Sequence, residues 1–420
     1  MKKKDFRSLS AGIFLLVCSA PLPGQDVGID GEIRSRIEYR EGFHKPLADT
    51  LQGAAIASLR TRIQLNYAHE KIQTRIILQD TRIYGQAGTN DTRNSLGVFE
   101  AWGSYLLTPD LSVTLGRQAI EYDDKRLLTA SNWSNTGNAH DLILLKYESP
   151  HRFNLHWGGA WNNNGDNEYE KTYNVSRSYK ALTFVWFGKS FAPWNFSAIW
   201  LNDVFNYGTT DADSGRKSFR HTLGGNLEMK KKELPFSFYA TAYYQFGHDP
   251  TNTPLDAYLL ALNVQYKFSD AWDIKAGVDY FSGSTPEERK DRNRTFNKLY
   301  GGNNLFNGMM EYWTTLPEQG LCELYGGATF RTGSKFDINL TFRSFSVTEA
   351  LAETNRKHIG SEIDLTAHYI ISPQLSLQGG WSIYFRNRQT DLLKTQTGIN
   401  THFPQWGYVM VSFKPRFLEK

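Results

Sequence analysis

Between Ile29 and Arg40 every even-numbered position carries a charge and every odd-numbered one is uncharged: Ile, Gly, Ile, Ser, Ile, Tyr against Asp, Glu, Arg, Arg, Glu, Arg. Successive side chains of a strand point to opposite faces, so this segment has one apolar and one ionic face. The next segment repeats the pattern, with Ala57, Leu59, Thr61, Ile63, Leu65 and Tyr67 opposing Ser58, Arg60, Arg62, Gln64 and Asn66. It recurs where Trp272, Ile274, Ala276, Val278 and Tyr280 alternate with Asp273, Lys275, Gly277 and Asp279, and again from Ile359 to Tyr369. From Gly28 to Phe417 about eighteen such segments can be counted, an even number as single-chain bacterial barrels require.

The gaps between the segments alternate as well. Short ones fall at Ala68-His69-Glu70, Thr108-Pro109-Asp110, Ser149-Pro150, Lys189 to Pro193, Lys230 to Leu234, Ser269-Asp270-Ala271, Thr332-Gly333-Ser334 and Ile371-Ser372-Pro373. Long ones separate them: Glu41 to Ala54, Ile83 to Leu96, Ile120 to Asn138, Asn162 to Arg177, Val204 to Ser218, Gly247 to Leu255, Gly283 to Gln319, Ser346 to Lys357 and Arg386 to Pro404. Strands that cross one bilayer in opposite directions produce this rhythm, with short turns on the periplasmic side and longer loops outside. The fold class predicted is therefore all-β: one transmembrane antiparallel up-and-down barrel with a polar lumen, wide enough for an aqueous channel. An arginine facing lipid near the midplane costs roughly 2–4 kcal/mol, so Arg34, Arg60, Arg62 and Arg75 are expected inside and Ile33, Leu59, Ile63 and Ile76 outside.

Composition agrees. The chain has 420 residues, 40% of them hydrophobic, and a mean hydropathy of −0.49. Beyond the N-terminus no apolar stretch approaches the ~20 residues of a spanning helix. The 14% aromatic content suits girdles at both membrane interfaces. A net charge of +4 is too mild to imply nucleic acid.

Met1 to Arg7 is basic and Ala11 to Ala20 apolar, which reads as a signal peptide over residues 1–24 with cleavage between Ala20 and Gln25, leaving the barrel as 25–420. Cys322 is then the single thiol of the mature chain. It carries no metal or redox motif, and neither a metal nor a cofactor is expected. At the other end the alternation runs to Phe417, and a final strand ending in an aromatic is similar to the signal read by barrel-assembly machinery. A monomer amid outer-membrane lipid and lipopolysaccharide is expected.

Charge is unevenly spread. Arg34, Arg36, Arg40, Arg60, Arg62, Arg75 and Arg82 precede Asp91, whereas Asp273, Asp279, Glu362 and Asp364 come late, so a transverse field across the lumen is expected. Near Gly116 the alternation breaks: Arg117 has the parity of lipid-facing Leu111, Val113 and Leu115, which places a bulge at Gly116 or Arg117 at the outer rim. The following loop, with Asp123, Asp124, Lys125 and Arg126, either folds inward as a charged constriction or stands in solvent.

Gln79-Asp80-Thr81-Arg82, Phe99-Glu100-Ala101-Trp102, Leu115-Gly116-Arg117-Gln118, Arg126, Asn132-Trp133 and Asp141 together resemble the N-terminal pattern of the alginate export family of outer-membrane barrels. Later pieces are similar too, among them Tyr244 to Gly247, Asp279 to Gly283, Phe296 to Tyr312 and Ile359 to Leu365. The resemblance implies eighteen strands around an arginine-lined constriction that passes an anionic polysaccharide, with possible periplasmic export components as partners. It implies Asp80, Arg82, Glu100, Arg117, Arg126 and Asp141 as pore or near-pore residues, beside Arg34, Arg36, Arg60, Arg62 and Arg75 from the alternation. One departure is Asn138-Ala139-His140-Asp141, where the family pattern has an arginine and an aromatic before the aspartate.

Other readings compete. Glu32, Glu38 and Glu100 could pair with Arg34, Arg60 and Arg62 as ladders supporting the wall, although solvated pairs are worth only ~0–1 kcal/mol each. A general or nutrient porin for small solutes or oligosaccharides is the first alternative, and an outer-membrane enzyme the second. Against catalysis, no Gly-x-Ser-x-Gly or His-Glu-x-x-His spacing occurs. His156, His221 and His368 sit singly on predicted strands.

Overall fold

The computed structural model describes residues 25–86, 95–230, 234–302, 305–394 and 403–419; the expected signal peptide lies outside them. The strands are β1 (Gln25–Glu41), β2 (Ala54–His69), β3 (Ile72–Ile83), β4 (Gly97–Thr108), β5 (Leu111–Gln118), β6 (His140–Glu148), β7 (Asn154–Trp161), β8 (Ala181–Phe191) and β9 (Trp194–Asn206). They continue with β10 (Lys217–Met229), β11 (Phe236–His248), β12 (Pro254–Lys267), β13 (Trp272–Phe281), β14 (Leu321–Thr332), β15 (Phe336–Leu351), β16 (Arg356–Ser372), β17 (Leu375–Phe385) and β18 (Gln405–Phe413). Each pairs antiparallel with its neighbours in sequence, and β18 pairs with β1, closing an eighteen-strand barrel. Pro415 lacks the N–H the ladder needs, so β18 breaks there and resumes as Arg416–Glu419 against the start of β1.

Registers match the alternation. Ile33 and Ile63 are 46% and 47% exposed on the outer face, while Arg34 and Arg60 are 4% and 0% exposed inside. One bulge alters the parity: Ile77 pairs with Glu100 and Leu78 with Val98, and the extra residue lets both Phe99 and Glu100 be buried inward. One predicted loop is mostly strand. Where a gap from Ser346 to Lys357 is expected, β15 runs to Leu351 and β16 starts at Arg356.

Loops narrow the lumen from within, and the 119–139 loop takes the inward of the two courses open to it. Residues 119–139, 293–302 and 305–320 turn into the barrel and bury Ile120, Leu127, Leu128, Phe296, Met310, Tyr312 and Trp313. They join inward-facing Leu142, Leu144, Leu182, Phe184, Ile199 and Leu201 in one apolar cluster. Strands β6, β8 and β9 thus carry apolar residues on both faces, because loops rather than water cover the inner one.

Cysteine placed at Gln64 or Arg75 in a Cys322→Ser background is expected to react with a membrane-impermeant maleimide, whereas cysteine at Ile63 or Ile76 is not. Labelling at Ile63 or Ile76 in the intact outer membrane would show that the register is shifted by one residue.

Candidate functional site in the lumen

The register of β1 against β2 sets Arg34 directly opposite Arg60 and Glu32 opposite Arg62. Like charges facing each other across a sheet are destabilising, and the 119–139 loop relieves them. Arg34 donates to the carbonyls of Asn132 (2.5 Å), Trp133 (3.1 Å) and Ser134 (2.9 Å) and to Oδ1 of Asn135 (3.0 Å). Arg60 donates to Asn132 O and Ser134 O, both at 3.0 Å, to Asn132 Oδ1 at 2.8 Å and to Glu32 at 2.7 Å. Arg36 donates to Trp133 O (3.1 Å), pairs with Glu38 and lies over the Trp133 ring. Arg62 donates to Gln79 (2.7 Å), reaches Asn132 Oδ1 (3.4 Å) and stacks on Phe99 at 3.9 Å. Arg75 donates to Asn66, approaches Glu100 at 3.9 Å and lies over Trp102.

A second charged wall lies on β13 to β16. Asp279 accepts both terminal nitrogens of Arg126, at 2.8 and 2.9 Å, while Nε of Arg126 donates to Asp124 at 2.7 Å. Burial works against the charge on Arg126, but Asp279 and Asp124 outweigh it and hold the guanidinium ionised. Arg343 bridges Glu323 and Asp364, and Arg331 pairs with Asp273. The 282–320 loop docks on these acids through its backbone, Asn307 N–H to Glu323 (3.0 Å) and Met310 N–H to Glu362 (2.9 Å). Gly308, between them at φ +90°, admits no side chain, since a Cβ would stand 2.5 Å from a Glu362 oxygen.

The two loops also bond to each other. Tyr300 N–H donates to Leu127 O and Gly302 N–H to Lys125 O, each at 3.0 Å. The Tyr300 hydroxyl reaches on to Asp203, which also holds Arg220. Lys298, beneath them, donates to Asn307 Oδ1 (3.1 Å) and Trp313 O (3.3 Å), and burial pushes its amine down to about 8. A lysine lowered in the folded state binds fewer protons there than when unfolded, so loop docking should strengthen as pH rises from about 8 towards 10.5. The gain is on the order of 3 kcal/mol. Proteolysis of the 282–320 loop should slow over that interval, and a Lys298→Met variant should lose part of the dependence, the rest following Lys394, whose amine donates to Tyr312 O of the same loop and is also pushed down to about 8 by burial; a wild-type rate flat with pH would refute it.

Of the residues singled out by sequence, Arg34, Arg36, Arg60, Arg62, Arg75 and Glu100 face the lumen. Arg126 lies inside the barrel on the loop, buried between Asp124 and Asp279 rather than bordering water. Four others are corrected. Thr61 pairs with Asp80 and Leu59 with Arg82, so both charged residues share the outward face, bonded to each other at 2.7 Å. Arg117 and Asp141 pair across β5 and β6 on the outward parity of Ala101, at 2.8 Å. Gly116 there has φ +119° and a Cβ would strike Ala101 O at 2.3 Å, yet the strand keeps its register and Arg117 stays outside. The ladder reading holds for Glu32 with Arg60, but Glu38 serves Arg36 and Arg40, and Glu100 accepts from Ala119 N–H and pairs with Arg75. Sequence reasoning missed Glu323, Arg343 and the Arg220–Asp203 pair; alternation alone would have placed Glu323, Arg343 and Arg220 inward, whereas β9 is apolar on both faces and gives no parity for Asp203. It also left His156 alone, whereas its Nδ1 lies 3.0 Å from the Tyr122 hydroxyl.

Comparison with known proteins places the chain. No curated protein matches it in sequence. In fold it is similar to solved structures: Pseudomonas aeruginosa OccK9 (OpdG), with a TM-score of 0.66 at 10% identity, covers 93% of this chain and 99% of its own. Acinetobacter baumannii OccAB1 gives 0.65 at 8% identity over 94% and 98%. Acinetobacter baumannii OccAB2 gives 0.62 at 14% over 93% and 98%. The family model described as "Alginate export" matches residues 26–321. Family and fold are those of outer-membrane channels. The chain belongs to the alginate export family, as a β-barrel of the Gram-negative outer membrane.

Proposed function

We propose that this channel passes an anionic, alginate-like polysaccharide by passive diffusion along the basic wall of β1 to β3. The observation that carries the reading is the charge excess on that wall. Arg34, Arg36, Arg40, Arg60, Arg62 and Arg75 face inward against Asp30, Glu32, Glu38 and Glu100, and the acceptors around Arg34 and Arg62 are neutral. Arg62 and Arg75 offer charges for uronate carboxylates, and half-buried Trp102, under Arg75, offers a flat face for a sugar ring beside one of them. Successive weak sites neither reject nor trap a polyanion. On this reading the polymer arrives from periplasmic export components, and the barrel works as a monomer among lipopolysaccharide, placed there by the barrel-assembly machinery.

A porin for small solutes is the second reading, favoured by the two loops that occupy the lumen. Planar-bilayer recording separates the two. Polyanion passage predicts anion preference and current interruptions by an oligouronate but not by a neutral oligosaccharide of equal length. A small-solute porin predicts no such distinction.

A further inference from the structure

We propose that the tip of the 119–139 loop, residues 131–137, is a built-in occupant of the anion site, and that a uronate-bearing chain opens the site by displacing it. The inference rests on the polyanion reading above and adds the way the site is guarded.

The tip reads Ser-Asn-Trp-Ser-Asn-Thr-Gly and carries no charge. Within four residues it nevertheless presents the carbonyls of Asn132, Trp133 and Ser134 and the amide oxygens of Asn132 and Asn135 to Arg34, Arg36, Arg60 and Arg62. A guanidinium is a planar fork of five donors suited to carboxylate. Neutral oxygens here stand where carboxylate oxygens bind. Bonds to an ionised acceptor are roughly twice as strong as neutral ones, so a carboxylate entering the cradle gains on the carbonyl it replaces, and Arg34, which pairs with no carboxylate among the described residues, gains most.

The tip is also built to move as a unit. Asn138 N–H donates to Ala130 O at 2.8 Å and closes a neck beneath it. Ser131 (φ +48°) and Gly137 (φ +71°) flank the excursion, and no residue of the tip is fully buried. Below the neck the loop is fixed: Leu127 and Leu128 are buried and Arg126 is clamped to Asp279. Displacement therefore leaves the root in place. It would also bare the Trp133 ring, now 4.9 Å from Tyr408 and 6.1 Å from Trp406, as a stacking face for a sugar.

The test uses the full barrel with Ser134→Cys and Cys322→Ser. The rate of reaction with an impermeant maleimide is measured with an oligouronate, with a neutral oligosaccharide of the same length, and with neither, while current interruption reports binding independently. We expect the oligouronate alone to raise the rate severalfold. A second variant, Asn132→Asp, gives the tip its own carboxylate; it should slow the thiol reaction and raise the oligouronate concentration needed for half the effect by about tenfold. Interruption of current with an unchanged or slowed thiol reaction overturns the displacement and leaves the channel reading intact, as does an Asn132→Asp barrel with the unaltered response. Absence of both interruption and rate change overturns the two together.

Discussion

Replacing Arg126 by Met should free both in-folded loops without opening the barrel. The side chain is close in length, but Asp279, with a side chain only 1% exposed, loses both of its guanidinium bonds, and Asp124 loses its own. Breaking a buried ion pair by removing one partner costs about 3–5 kcal/mol, because the other charge stays buried and uncompensated. The barrel wall does not depend on this pair, since its strands are joined edge to edge by backbone hydrogen bonds around the whole ring. The loops do: Arg126 lies over the Phe306 ring at 3.9 Å, and the neighbouring bonds Tyr300 to Leu127 and Gly302 to Lys125 hold the two together. The variant should keep the heat-shifted mobility of the folded barrel on gels, become cleavable within residues 119–139 and 282–320, and conduct more than the wild type. Adding Asp279→Asn should recover part of the protease resistance, because the more deeply buried of the two stranded carboxylates is then neutral and only Asp124, whose side chain is 14% exposed, keeps an unpaired charge. A single variant as resistant and as poorly conducting as the wild type would show that the pair does not hold the loops.

The barrel was legible in the sequence because lipid imposes period two, and the reading failed wherever something other than lipid or water covered a strand face. Arg34 and Arg60 were placed inward by parity alone. Most of their bonds to Asn132 and Ser134 were not legible, since all but the one from Arg60 to the Asn132 amide oxygen go to backbone carbonyls 72 to 100 residues away, which leave no mark in side-chain type. Leu182, Phe184 and Trp186 on β8 face the lumen, and Trp186 donates to Asp123 of the loop at 2.9 Å; a lumen assumed wet gives no reason to put them there. Arg117 and Asp141 show two warrants in conflict. Alternation left Arg117 either past a bulge at Gly116 or at the outer rim, the resemblance put it in the pore, and the hydrogen-bond register keeps it on the outward parity. The strand ending at Leu351 was hidden because its apolar positions change face: Leu340 and Phe342 are exposed outside, whereas Phe345, Val347 and Leu351 are buried inside.

If the basic wall selects for anions, Arg62→Ser with Arg75→Ser should lower anion preference roughly tenfold at 0.1 M salt. A unit charge about 5 Å away in water contributes ~0.8 kcal/mol, a factor of about four in local anion concentration for each guanidinium removed. These two are chosen because they hold the loop least: Arg62 touches the tip only through Asn132 Oδ1 at 3.4 Å, and Arg75 bonds to Asn66 and Glu100 of the wall. Arg34 and Arg60, by contrast, carry the tip, and their loss would mix selectivity with loop release. At 1 M salt the difference should vanish, because the Debye length falls from ~10 Å to ~3 Å. A supporting role for the same residues predicts the reverse: lower heat resistance of the folded band, with the selectivity of surviving channels unchanged at every salt concentration. The two outcomes are separable in any double variant that still inserts, since one concerns the potential at the position of a passing ion and the other the cohesion of β2, β3 and β4. A double variant that keeps wild-type anion preference at 0.1 M would remove the basic wall from the account of permeation and leave a porin for small solutes.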